Sequence, residues 1–159
     1  MIKHYAIALI VGGTLLFLAC TATQSNSPGS MSDETLVTPK LFKKITGIEW
    51  QLTKMILDNK SIDLVANSKT TFLCDDNGRV SGVATLNRYS GNLKLLPDGE
   101  IVWNKAFLMT RMAGPPELMQ QEADFTQALM KTSRMFLNGS KLALRGQDSS
   151  TVLEFGQPK

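Results

Sequence analysis

The side chains with the greatest chemical capacity cluster in the middle of the sequence. The stretch "ATLNRYSG" at 84–91 sets Asn87, Arg88, Tyr89 and Ser90 in a row, Arg111 follows in "LMTRMAG", and Glu122 comes after it. An arginine facing a carboxylate can form an ion pair, and the run can line a ligand or partner surface. An asparagine–glycine-flanked run can equally be a structural corner whose side chains satisfy local backbone groups. Carboxylate-only hydrolysis would draw on Asp75, Asp76, Glu117 and Glu122, if their geometry allowed it. Other chemistries fall away. The single histidine, His4, lies in the leader described below, so the mature chain lacks Ser-His-Asp and Cys-His machinery and the commonest transition-metal ligand. No cysteine spacing fits zinc, and "DDNG" at 75–78 lacks the remaining ligands of a calcium loop. No glycine pattern for nucleotide phosphates is present. No catalytic residue, metal or cofactor is assigned.

The elements that must position these residues begin after an apolar leader. Residues 1–19, "MIKHYAIALIVGGTLLFLA", join Lys3 and His4 to an apolar run ending in a small residue, the pattern of a secretory signal peptide. An uncleaved N-terminal anchor is the alternative. Cys20 follows directly, and "LLFLAC" resembles the lipobox of bacterial lipoproteins, in which the cysteine is acylated and becomes the mature N-terminus. By that resemblance Thr21, in place of an aspartate, implies an outer-membrane destination facing the periplasm. Residues 20–38 then read as the lipidated cysteine and a flexible tether rich in Ser, Thr, Pro and Gly. Loss of the leader removes only Lys3 from the 17 Lys+Arg, leaving 16 against 14 Asp+Glu. That balance argues for neither a nucleic-acid partner nor an anionic membrane surface.

Residues 39–159 suffice for one domain. Period-two alternation dominates, as in "IEWQLT", where Ile48, Trp50 and Leu52 share a face. Asn77-Gly78, Asp98-Gly99 and Asn138-Gly139 each separate two strand-like segments, and such pairs supply the positive φ angles of tight hairpins. The expected fold is α+β, mainly β: an antiparallel meander curled into a half-barrel or small barrel, with one amphipathic helix packed on it. The helix is "GPPELMQQEADFTQALMKTS", with proline suited to its first turn. Helical spacing places Glu117, Gln120, Asp124, Gln127 and Lys131 outward, and Leu118, Phe125, Leu129, Met119 and Met130 inward. Glu122 falls within the apolar face, where a bare carboxylate would cost several kcal/mol. The expected partners are Arg111, Arg88 or backbone donors at the corner.

Four segments in order, "ITGIEWQLTKM", "GVATLNRYSGNLKL", "LMTRMAGPPELMQQEADFTQAL" and "FLNGSKLALRG" closing in "VLEF", resemble the META domain of HslJ-type bacterial proteins. The resemblance covers about residues 41–156. It implies a non-enzymatic envelope lipoprotein associated with heat shock and antibiotic tolerance, binding an envelope protein or an apolar ligand. A pilotin-like chaperone for secretion machinery and an enzyme of unknown class are the alternatives. Two departures stand out: Leu86 and Gly114 occupy positions where the family commonly has cysteine. No disulfide role carries over, and Cys74, in the strand-like "TTFLC", reads as a buried, inert thiol.

The leader and Cys20 make a direct prediction. Cys20→Ser should yield an unprocessed or unlipidated product, lacking acyl mass and lost from the membrane fraction. A wild-type mature N-terminus elsewhere, without acyl mass, would contradict the lipoprotein reading.

Overall fold

The computed structural model describes residues 34–104 and 107–158. The leader, Cys20 and most of the expected tether lie outside them. Among the described residues, eleven strands form one antiparallel sheet with a single α-helix. The strands are β1 (Thr35–Leu36), β2 (Trp50–Leu57), β3 (Lys60–Ile62), β4 (Thr71–Cys74), β5 (Arg79–Val83), β6 (Arg88–Leu95), β7 (Ile101–Trp103), β8 (Leu108–Met109), β9 (Thr132–Asn138), β10 (Lys141–Gly146) and β11 (Val152–Gly156). Helix α1 spans Pro116–Lys131. The sheet order is β1-β9-β10-β11-β2-β4-β5-β6-β7, with β3 beside β2 and β8 beside β6. The sheet curls until β7 meets β9 through one isolated bridge, Glu100 to Arg134, and the Trp103 indole donates to the Thr132 carbonyl at 2.9 Å. It is a half-barrel, curled but not closed.

Three hairpins turn where Asn-Gly or Asp-Gly stands, with Gly78, Gly99 and Gly139 at positive φ. The last of them sets Leu142 opposite Leu137 and Leu144 opposite Met135, the register that the alternation predicts. Two elements carry no such signal. The β2–β3 hairpin turns on Asp58 and Asn59, both at positive φ without a glycine. Strand β1 lies inside the stretch expected as tether. There Val37 is fully buried, its amide donates to the Met135 carbonyl, and Glu34 pairs with Arg145 at 2.8 Å. The sheet therefore includes residues ahead of the expected boundary at 39. A shift in the β2–β11 register between Leu52 and Lys54 changes the phase of β2, so Trp50 and Leu52 and then Met55 and Leu57 all face inward.

One core fills the concave side. Trp50, Phe72, Phe125 and Phe155 are fully buried in it, with Met55, Leu129, Met135, Leu142, Leu144 and Leu153 around them. Helix α1 packs against β2, β10 and β11, and Phe125 reaches across to Tyr89 of β6, ring centroids 5.7 Å apart. The inward helix face differs from the hydropathy expectation. Gln121, Phe125, Ala128 and Leu129 are buried, whereas Met119 is 46% exposed and Leu118 and Met130 are only half-buried. The stripe is rotated because a polar residue, Gln121, occupies an inner position with its own hydrogen-bond partners.

Tyr89 anchors β6 over the core. Its hydroxyl donates to the Thr71 carbonyl at 2.8 Å, and its ring stacks on Phe107. The ring lies above its cross-strand partner Gly82. A Cβ at Gly82 would sit 2.2 Å from the Thr71 carbonyl oxygen and 2.9 Å from the Tyr89 ring. Gly82→Ala must therefore push backbone apart, and should destabilise the domain by about 2–3 kcal/mol in denaturant unfolding followed by tryptophan fluorescence. An unchanged midpoint would show that the strands have slack.

Candidate functional site

The corner between β5 and β6 is held by two adjacent helix residues. Glu122 turns its carboxylate onto the corner: one oxygen accepts the amides of Leu86 at 3.1 Å and Asn87 at 2.6 Å, and the other accepts the Asn87 side-chain amide at 2.7 Å. Gln121 grips the preceding residues. Its Oε1 accepts the Val65 amide at 2.6 Å, and its Nε2 faces the hydroxyls of Ser68, Thr85 and Thr70 at 2.9, 3.0 and 3.3 Å. Thr85 is thereby held at φ 85°, a left-handed conformation costly for a β-branched residue. The Thr70 and Thr85 hydroxyls also bond each other at 2.8 Å.

Asn87 is the hub. Its Nδ2 donates to the Met112 carbonyl and to Glu122, while its Oδ1 accepts the Thr110 hydroxyl at 2.8 Å and the Met112 amide at 2.7 Å. Its backbone carbonyl accepts the Ala84 amide. Both donors and both acceptor directions of the amide are used, which its burial requires. One side chain thus joins the β5–β6 corner, the segment after β8, and α1.

The structure does not bring Arg88 or Arg111 to Glu122. Both guanidinium groups are exposed, and neither belongs to an ion pair among the described residues. Donors already present at the corner satisfy the carboxylate without the entropy of ordering a long side chain. Met112 is 61% exposed beside Asn87, and Met119, 46% exposed, lies on the turn of α1 before Glu122, so with the exposed Arg111 next to Met112 the rim of the corner carries Arg111, Met112 and Met119. Two positions the sequence reading passed over are central here. Thr110 sits within "LMTRMAG", and Gln121 lies on the helical stripe of Phe125 and Leu129. That spacing was the available signal.

Leu86 and Gly114 face each other. A Cβ at Gly114 would meet Leu86 Cδ1 at 2.8 Å and Cδ2 at 2.9 Å. The leucine side chain fills the space that a larger residue at 114 would need, a large-for-small exchange. Cys74, on β4, is a free thiol fully buried in the core. Burial first, and then the carboxylates of Asp75 and Asp76, push it up to about 12. Burial likewise raises the Tyr89 phenol above its ordinary range. Neither group is a nucleophile at neutral pH.

The family model of the META domain matches residues 43–159. The chain belongs to the META domain family. Its fold is similar to an NMR structure of a protein from Burkholderia xenovorans, at a TM-score of 0.64 and 17% identity over 87% of this chain and 97% of that one. A second NMR structure is similar at a TM-score of 0.54 and 22% identity, covering 76% and 95% of the two chains. A crystal structure of a duf4847 family protein from Bacteroides vulgatus ATCC 8482 is similar at 0.55 and 10% identity, over 75% and 98%. Comparison with curated proteins gives no match.

Two predictions come from the site. Glu122→Ala strands three donors at the corner and should cost about 3 kcal/mol. Glu122→Gln should cost less, since its carbonyl can keep the two backbone amides while its NH2 meets the Asn87 donor. Equal unfolding midpoints for wild type and Glu122→Ala would remove the carboxylate from the account. The second concerns alkali. Between the ordinary value of 9.0 and about 12, the unfolded chain loses the Cys74 proton while the folded chain keeps it. The contribution of Cys74 should be constant below pH 9 and fall by about 1.4 kcal/mol per pH unit above it. In Cys74→Ala that decline should begin only where Tyr89 of the unfolded chain ionises, near 10.0. An unchanged onset in Cys74→Ala would contradict this assignment.

Proposed function

We propose that this protein is a non-enzymatic envelope lipoprotein, anchored through Cys20 in the outer membrane and facing the periplasm, whose META domain binds a partner protein in envelope stress tolerance. The observation that carries the reading is the complete use of the corner's polar groups. Glu122 and Asn87, the best placed for acid–base or ligand chemistry, spend their hydrogen bonds on the fold itself. What the corner offers outward is its rim, where arginine and methionine, residue types well suited to protein contacts, stand on a rigid support. A partner is favoured over an apolar ligand because Trp50, Phe72, Phe125 and Phe155 fill the interior.

The test is a pull-down from detergent-solubilised envelopes, comparing wild type with Met112→Asp/Met119→Asp. A protein captured by wild type and lost with the double variant, at unchanged thermal stability, supports the reading. A secretin-like protein among the captured species would specify the pilotin-like alternative. Identical capture profiles would contradict a binding rim at the corner.

A further inference from the structure

The outer face of β5, β6, β7 and β8 carries a second surface, distinct from the corner rim. Tyr89, Gly91 and Leu93 of β6 point into the core, so Arg88, Ser90, Asn92 and Lys94 point out of the curl. Cross-strand register adds Arg79 opposite Asn92, Leu108 opposite Ser90, and Val102 opposite Lys94. Arg79, Arg88 and Lys94 therefore share one face with two exposed apolar side chains, Leu108 at 70% and Val102 at 47%. The strands of this face carry no acid. The acids that border it lie at its turns: Asp75 accepts the amides of Asn77 and Arg79, Asp76 accepts the Thr46 hydroxyl, Asp98 accepts the Glu100 amide, and Glu100 itself is exposed two residues before Val102. The four ion pairs among the described residues use Lys54, Lys69, Lys131 and Arg145, none of them on this face. Two shallow hollows flank Leu108, of about 330 and 290 Å³, one lined by Arg88 and the other by Arg79.

We infer that this face docks on an anionic phospholipid surface. Leucine stands proud between two arginines on the convex side of a curled sheet. That shape suits insertion between headgroups, with each guanidinium on a phosphate, better than it suits a groove-binding polypeptide. The entry to the domain lies nearby: Leu36 of β1 borders Gly99 in the turn after β6, and Pro39 and Lys94 line one hollow of about 400 Å³. The inference rests on the lipid anchor proposed above, because three charges and one leucine bind a bilayer only weakly. Anchored, the domain meets the surface at an effective concentration on the order of millimolar, where weak docking becomes populated. The near-neutral total charge conceals this, since most of the acids lie elsewhere on the fold.

The experiment uses the full lipoprotein, purified from membranes and reconstituted into vesicles of phosphatidylcholine with or without phosphatidylglycerol. A polarity-sensitive fluorophore on Leu108→Cys reports the face, with unsubstituted protein as the background control. The expected result is a shift to an apolar signal only on phosphatidylglycerol vesicles at low salt, reversed by high salt. Arg79→Gln/Arg88→Gln/Lys94→Gln should lower the ratio of docked to free domain about a hundredfold. Protein retained on anionic vesicles with the probe still in water overturns the docking alone. Protein not retained at all overturns the anchor and the docking together. Shielding by added polyglutamate but not by anionic vesicles overturns it in favour of an acidic protein partner.

Discussion

The grip of α1 on the β5–β6 corner is the constraint on which the remaining architecture depends. Glu122 and Gln121 are adjacent, so they point about 100° apart and take hold of the two arms of one turn. Between them they account for the corner amides of Leu86 and Asn87, the amide of Val65 and the hydroxyl pair of Thr70 and Thr85. Asn87 then passes the constraint to Thr110 and Met112. A curled sheet that does not close needs such a pin. Without it, the β5–β6–β7 side could open away from β9, against which Glu100 and Trp103 at β7 place one bridge and one indole hydrogen bond.

The same pin explains what the sequence made legible. Glycine-marked hairpins can be read because positive φ is a local requirement, and period-two alternation then sets the β9–β10 register before any tertiary contact is considered. The helix can be read for similar reasons, through its prolines and its spacing. Its rotation about its own axis cannot, because Gln121 looks like a surface residue until its partners on other elements are known. The corner was visible as a cluster of polar types. Which donors would serve Glu122 was not, since an arginine and a backbone amide satisfy a carboxylate equally well on paper. Strand β1 escaped notice because two paired residues are too few to show a period.

The paired departures at Leu86 and Gly114 fit this mechanical view. They sit at the junction of the corner and the segment that feeds α1, where the two chains must stay in contact. Here a leucine side chain over a glycine maintains that contact. Cys74, on another strand and enclosed in the core, has no part in it. The domain therefore presents a rigid frame with its polar interior spent on structure. Its exposed large apolar side chains lie outside, among them Met112 beside the corner and Leu108 on the cationic face.

The most direct measurement of this account is native-state hydrogen exchange at the amides of Leu86 and Asn87. Both belong to a loop at the edge of a helix, where fast exchange is the ordinary expectation. If the Glu122 carboxylate pins the corner as described, both amides should exchange only at the rate of global unfolding, together with core amides such as Leu142 and Leu144. Exchange of Leu86 and Asn87 orders of magnitude faster than the core would show that the corner opens independently, and would contradict the central role given to the helix grip.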